Sequence, residues 1–276
     1  MEEKIFDAEN LKVGFIGGGA LAESVIKGIR GTLVMSNNIF VAELRETRCA
    51  ELKKLYRVNA TTDAADFLGK VKILIIAVKP KDAEKTLSNL KGKIELDTLI
   101  FSVIAGLKRE ILEKFFPGNA IVRVMPNVPI AVGEGMTCYA PNKNCLEADK
   151  NLAEKFWSSI GRAVEVDEKL MDAVTGLSGS GPAYAFLMID ALSDGGVAAG
   201  LPRNISIELA AQTLLGAAKM VLETGEHPAA LRDRVTSPAG TTIEGVRILE
   251  RGGVRSSLIE AVISATEKSK DLGVRK

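Results

Sequence analysis

The sequence predicts an α/β fold, with a doubly wound parallel sheet in the amino-terminal part and an all-helical domain after it. Up to about residue 167, short apolar runs rich in Val and Ile alternate with helix-like stretches. That alternation is the mark of strands buried on both faces and joined by crossover helices. Beyond that point strand signals stop and the periodicity is helical to the end. A glycine-rich turn directly after the first apolar run is the third observation. The expected division is therefore residues 1–167 for the sheet domain and 168–276 for the helical domain, in keeping with about two domains for 276 residues.

Five runs read as strands in chain order: KVGFIG (12–17), NIFVAE (38–43), VKILIIAV (71–78), TLIFSVIA (98–105) and AIVRVM (120–125). Residues 20–29 and 47–55 read as helices between them. In the second part Pro182 and Pro202 are each placed to open a helix, because proline is tolerated in the first turn. Residues 205–222 are apolar almost all the way round, as expected of a helix buried against other helices or a partner chain. The final helix sets Leu258, Ile259, Val262 and Ile263 on one stripe.

Composition excludes several classes. Thirty-six basic against 35 acidic residues leave a net charge of +1, which gives no electrostatic footprint for nucleic acid or an anionic membrane. A single histidine, His227, rules out His-rich metal sites, and no metal site is expected. Any Ser-His or Cys-His nucleophile would have to run through that residue. Cys49, Cys138 and Cys145 form no Cys-x-x-Cys pair, so a reducing, cytoplasmic setting is expected. The opening MEEKIFDAEN is charged and has no apolar core, unlike a secretory signal. Residues 173–189 carry no charge, but glycines, hydroxyl residues and a proline interrupt them too often for a spanning helix.

The turn GFIGGGALA (14–22) holds Gly17-x-Gly19-x-x-Ala22 between a strand and a helix. In a dinucleotide site the first glycine makes the turn and the second admits the pyrophosphate. The third small residue lets the helix pack close, with the phosphates on the helix N-terminus. Gly17, Gly18, Gly19, Ala20 and Leu21 are accordingly candidates to hold a cofactor. Glu43 ends the second strand where an acidic residue would accept a ribose hydroxyl of NAD(H), while Arg45 and Arg48 would suit the 2′-phosphate of NADP(H). These residues do not choose between the two. Ala77-Val78-Lys79-Pro80 and Met125-Pro126-Asn127 also close strands, so Ala77, Val78, Lys79 and Asn127 are placed to face a cofactor; plain strand termination accounts for the prolines equally well.

Ser237-Pro-Ala-Gly-Thr-Thr242 runs straight into a helical stretch. Its amides and hydroxyls stand at a helix N-terminus, which suits a carboxylate ligand; an ordinary Ser/Thr cap is the alternative. Here the residues resemble a known family. GLSGSGPAYAF (176–186), DALSDGG (190–196), GAAKM (216–220), SPAGTT (237–242) and LERGG (249–253) are similar to pyrroline-5-carboxylate reductase, as are GFIGGGALA, AVKP and MPNVP in the same order. The resemblance covers essentially the whole chain. It implies reduction of the cyclic imine 1-pyrroline-5-carboxylate to L-proline, the last step of proline biosynthesis, with NADP(H) or NAD(H). It also implies a Rossmann domain followed by a helical domain that intertwines in a homodimer, with each active site completed across the dimer and rings built from dimers in some members. By motif position Thr242 is the donor to the imine nitrogen, and Ser237, Gly240 and Thr241 hold the substrate carboxylate. Ala239 departs from a common glycine, Val128 from a frequent threonine, and Glu43-Leu-Arg45 from the small polar residues that many relatives carry.

Such a reaction needs a hydride from the nicotinamide and a proton on nitrogen, with the protein supplying orientation. A basic imine brings its own proton near neutral pH, which makes a chain with one histidine sufficient. His227 reads as a structural or solvated loop residue, Tyr184 as core on the first turn of a helix, and Glu244 and Glu250 as a solvated face. Two rivals are a β-hydroxyacid dehydrogenase or other imine reductase, and a non-catalytic dinucleotide-binding regulator. Against the dehydrogenase stands the absence of a lysine from residue 180 to 190.

Overall fold

The computed structural model describes residues 10–274; the charged opening segment, residues 1–9, lies outside the described residues. The chain forms two compact units, Met1–Gly179 with Ser264–Lys276, and Ser180–Ile263. The division by contacts thus falls after Gly179, later than the change of sequence pattern near Asp167, and the chain end returns to the first unit.

The first unit is built on one eight-stranded sheet in the order β3-β2-β1-β4-β5-β6-β7-β8. The five strands expected from sequence are β1 (Val13–Ile16), β2 (Ile39–Ala42), β4 (Ile73–Ile76), β5 (Leu99–Ser102) and β6 (Ile121–Met125). They pair in parallel, with Val13 opposite both Ile39 and Ile73. Every residue of β1, β4 and β5 is buried, which explains their unbroken apolar runs. Helices α1 (Ala20–Ile29) and α2 (Glu46–Tyr56) and the later α5 (Glu147–Ser158) pack on one face, where Phe15, Phe101, Phe156 and Trp157 share a core. Helices α3 (Ala83–Leu90) and α4 (Arg109–Phe115) supply Leu87 and Leu112 to the core on the other face. Ala22, Val25, Ile26 and Ile29 form the buried stripe of α1 at the spacing of a packed helix.

Three further strands had no apolar run to announce them. β3 (Asn59–Thr61) and β8 (Gly161–Glu165) are the two sheet edges, where polar and charged residues are compatible with exposure. β7 (Gly135–Pro141) contains neither Val nor Ile and runs antiparallel to β6, with Arg123 opposite Ala140, in a sheet whose other described pairings are parallel as expected. The reason is the connection. Residues 126–134 hold only a 3-10 turn, and a parallel return needs a crossover of about a dozen residues or more. A short helix, α6 (Met171–Val174), and a π-helical turn at Thr175–Gly179 end this part of the chain.

The second unit is helical: α7 (Gly181–Ala198), α8 (Arg203–Thr224), α9 (Pro228–Arg234), α10 (Thr241–Arg251) and the start of α11 (Val254–Val274). Pro182 lies in the first turn of α7, and Pro202 is the N-cap of α8. α7 and α8 approach closely at Gly196, where an added Cβ would stand 2.0 Å from Ser206 Oγ. Ser206 donates to the Ser193 carbonyl at 2.7 Å, so the buried hydroxyl is satisfied. Of α8, only Ser206 and Ala210 are buried within the chain. Many of its other apolar residues, among them Leu209, Leu215 and Leu222, are exposed, and Leu214 and Val221 are only partly buried, so burial by other helices of the same chain does not account for its composition. Among the described residues α8 is also the one helix long and apolar enough to cross a membrane.

Candidate active site

In an open parallel sheet a ligand crevice forms beyond the carboxyl ends of the strands where the strand order reverses, here between β1 and β4. The strand ends are tied together at that point. Gly17 N–H donates to the Ala42 carbonyl and Ala77 N–H to the Ile16 carbonyl, both at 2.8 Å. Beyond them opens a cleft of about 750 Å³ lined by Gly17, Gly19, Glu43, Arg45, Ala77, Val78 and Lys79. Gly17 has φ +99°, and a Cβ there would lie 2.7 Å from the Ala77 carbonyl oxygen. Only glycine meets both conditions without strain. Gly19, the N-cap of α1, faces open space, with nothing within 4 Å of its Cβ direction and no side chain capping the helix. A pyrophosphate would fit that open backbone at a helix N-terminus. Ala20 and Leu21 begin α1 beside the cleft without lining it.

Gly18 serves a neighbouring role. Its N–H donates to Glu43 Oε2 at 3.1 Å, while Glu43 Oε1 accepts from the backbone N–H and the Nε of Arg45 at 3.2 and 3.0 Å. Burial pushes the Glu43 carboxyl up, but the hydrogen bonds from Arg45 and Gly18 outweigh it and hold the group below the usual carboxylate range. The two arginines named from sequence part company here. Arg48 donates to the Gly18 carbonyl at 2.9 Å, to Glu51 at 3.1 Å and to Glu23, and its side chain is 15% exposed. Arg45 is 66% exposed and, among the described residues, paired with Glu43 alone. Lysines 79, 81 and 85 line the same cleft with Thr62 and Asp63. Sequence reading missed Thr62 and Asp63 because β3, which they follow, is three residues long; the signal available was their position after a strand end.

Asn127 lies outside this cleft. Its Oδ1 accepts from Met136 N–H at 2.9 Å and its Nδ2 donates to the Ser178 carbonyl at 3.1 Å. The amide therefore braces the start of β7 against the π-helical turn, a backbone form frequent near functional sites.

In the second unit Ser237, Gly240, Thr241 and Thr242 share one turn at the start of α10. Gly240 N–H donates to the Ser237 carbonyl at 3.1 Å, and a Cβ on Gly240 would meet Ser237 Oγ at 2.3 Å. Ala239 holds φ +54°, a left-handed conformation costing a non-glycine residue roughly 1–2 kcal/mol. No side chain caps α10, and Ser237, Thr241 and Thr242 are exposed. Beyond the Gly240 amide, which the Ser237 carbonyl takes, the amides and hydroxyls at this helix N-terminus favour a small anion. His227 caps α9, its Nδ1 accepting from Ala229 N–H at 3.2 Å. Tyr184 donates to the Ala261 carbonyl, and Glu244 and Glu250 pair with Arg247 and Arg255 on the helix surface.

A glycine turn and an anionic acceptor at a topological switch point belong to the dinucleotide-binding oxidoreductases. Comparison with known proteins narrows the class. A family model described as pyrroline-5-carboxylate reductase dimerisation matches residues 168–272, and one described as NADP oxidoreductase, coenzyme F420-dependent, matches residues 12–106. The pyrroline-5-carboxylate reductase of Methanosarcina acetivorans is 45% identical over 96% of this chain and 99% of its own, and that of Arabidopsis thaliana is 42% identical over 99% of each. The crystal structure of Plasmodium falciparum pyrroline carboxylate reductase with NADP bound is similar at a TM-score of 0.88 and 35% identity, covering 96% of this chain and 99% of that one. The chain belongs to the pyrroline-5-carboxylate reductase family.

Proposed function

We propose that this protein reduces 1-pyrroline-5-carboxylate to L-proline, drawing the hydride from NADP(H) and also accepting NAD(H). The observation that carries the reading is the open turn of residues 237–242 in a chain that also holds the cleft at Gly17 and Glu43. The nicotinamide supplies the hydride when the cofactor is bound. Gly17, Gly18 and Gly19, with Ala20 and Leu21 opening α1, position the pyrophosphate; Glu43 and Arg45 face the adenosine ribose; and Ala77, Val78 and Lys79 form the opposite wall. Asn127 contributes by holding the β6–β7 turn and the π-helical turn in register.

Ser237, Gly240 and Thr241 hold the substrate carboxylate at the start of α10, where the helix dipole favours a negative charge. The Thr242 hydroxyl hydrogen-bonds the imine nitrogen, donating to it while the imine is neutral and accepting from its N–H once it is protonated, and so fixes the ring carbon for attack. Residues 1–167 act as the cofactor domain and 168–276 as the substrate-binding and dimerisation domain. The exposed apolar faces of α7 and α8 are covered by a second copy in an intertwined homodimer, which completes each active site and can assemble further into rings. Packing in such a dimer accounts for the composition of α8 without a membrane, in keeping with a cytoplasmic enzyme of a small-molecule substrate.

The test is to mix purified protein with pyrroline-5-carboxylate and follow loss of absorbance from NADPH and NADH separately. Oxidation that depends on the imine is expected; no oxidation of either nucleotide favours a non-catalytic binding protein instead. Thr242→Ala should lower the reduction rate by about 10²-fold with dinucleotide binding near normal, and an unchanged rate removes Thr242 as the donor.

A further inference from the structure

Two glycines far apart in the chain meet backbone to backbone in the first unit, at the loop that follows β5. The sheet order β3-β2-β1-β4-β5-β6 gives each half of a dinucleotide its own set of strands. Glu43, just past β2, stands where the adenosine ribose is met, so the nicotinamide half falls to the carboxyl ends of β4, β5 and β6. Residues 103–108 run out from β5, the middle strand of that set, and lead into α4. In this loop Gly106 is buried with φ +75°, and a Cβ on it would stand 3.1 Å from Gly273 N and 3.2 Å from the Leu272 carbonyl carbon. A Cβ on Gly273, in the last turn of α11, would in return stand 2.6 Å from the Gly106 carbonyl oxygen. Both sides of the contact are backbone, with no flexible side-chain end to move aside, so the approach needs glycine on each.

Both partners of this contact are anchored to one charged cluster. One turn before Gly273, Ser269 is 3% exposed and donates to Asp172 at 2.8 Å, and Asp172 faces the buried Arg123 of β6 at 3.7 Å. At the far end of the loop Arg109 N–H donates to Glu168 at 2.6 Å, and Glu168 faces the same Arg123 at 3.5 Å. We propose that the last turns of α11 are a buttress for the nicotinamide end of the site, with Ser269 and Gly273 as positioning residues for hydride transfer. By holding the loop after β5 in place they fix where the nicotinamide ring rests, and a misplacement of about 1 Å slows such a transfer by up to about 10²-fold. Neither residue lines the cleft at Gly17 and Glu43, so the adenosine half binds independently of them. The effect on turnover rests on the imine-reductase reading above; the effect on the nicotinamide does not.

The experiment compares the full-length protein with its Gly273→Ala and Ser269→Ala variants. It follows the affinity for 2′-phospho-ADP-ribose, which carries the adenosine half alone, the emission maximum and lifetime of bound NADPH, which report the surroundings of the reduced nicotinamide, and kcat with pyrroline-5-carboxylate. In Gly273→Ala the adenosine-half probe should bind within about twofold of its affinity for the unaltered protein, while kcat falls by about tenfold and the NADPH emission moves toward that of the free nucleotide. Ser269→Ala introduces no clash and serves if the first variant does not fold; it should move emission and kcat in the same direction, with kcat down by about threefold. Unchanged emission or unchanged kcat in the variants, or a loss of probe affinity in step with kcat, overturns the buttress. Should the unaltered protein bind NADPH but reduce no imine, the imine-reductase reading falls and the emission of the variants alone decides for or against the buttress.

Discussion

Gly17 shows how tightly single residues are constrained at the cleft. Its φ of +99° and the 2.7 Å from a Cβ to the Ala77 carbonyl act together, so Gly17→Ala is strained in the backbone and collides with backbone that cannot yield. The expected cost is about 1–3 kcal/mol, read from the urea midpoint, with weaker nucleotide binding alongside. That glycine was legible from sequence, because its spacing after an apolar run has a geometric reason. The separate fates of Arg45 and Arg48 were not. Both are basic residues within five positions of Glu43, and only packing brings Glu23 from α1 against Arg48. Tyr56 joins the same cluster from the end of α2, its hydroxyl donating to Glu23 at 2.7 Å. Ala239 is a reverse case: where the resemblance implied a glycine, this chain carries alanine in a left-handed backbone at φ +54°, and the turn tolerates the strain.

At the scale of elements, buried charge ties several pieces of the first unit together. Arg123 of β6 is buried between Glu168 at 3.5 Å and Asp172 of α6 at 3.7 Å. Glu168 also meets Arg109 Nε at 3.1 Å, and Ser269 of α11 donates to Asp172 at 2.8 Å. Arg123→Ala would leave two carboxylates without their buried partner, at an expected cost of about 3–5 kcal/mol in urea unfolding, with a smaller loss for Arg123→Met. Hydrogen exchange should rise at residues 264–273 in the alanine variant, because their tie to α6 is loosened. No sequence pattern marks this cluster, since its directly bonded members lie up to 97 positions apart and are brought together only by folding. The same is true of Asn127, whose proline-flanked position pointed to a cofactor while both ends of its amide are engaged by Met136 and Ser178. Strands β1, β4 and β5 were readable because burial on both faces demands apolar residues throughout; the edges β3 and β8 were not, because exposure lifts that demand.

For the whole molecule, the second unit has more apolar surface than one chain covers. Phe186 of α7 is 62% exposed, and Leu209, Leu215 and Met220 of α8 are each about half exposed. Large apolar residues exposed in this number on two neighbouring helices point to an association surface. Sedimentation velocity should show a dimer at micromolar concentration, and Leu215→Glu should shift it toward monomer with loss of activity. By itself the sequence determined the α/β class, the order of a sheet domain and a helical domain, the glycine turn and the family. Each of these is written in local spacing or in motifs that a linear reading can hold. Only the tertiary structure decided that β7 runs antiparallel, that Arg48 is locked while Arg45 is exposed, that Asn127 braces a turn, and that α8 keeps most of its apolar surface in the open. Those features depend on the length of a connection, on charges from distant elements meeting, and on which faces remain after the chain has packed against itself.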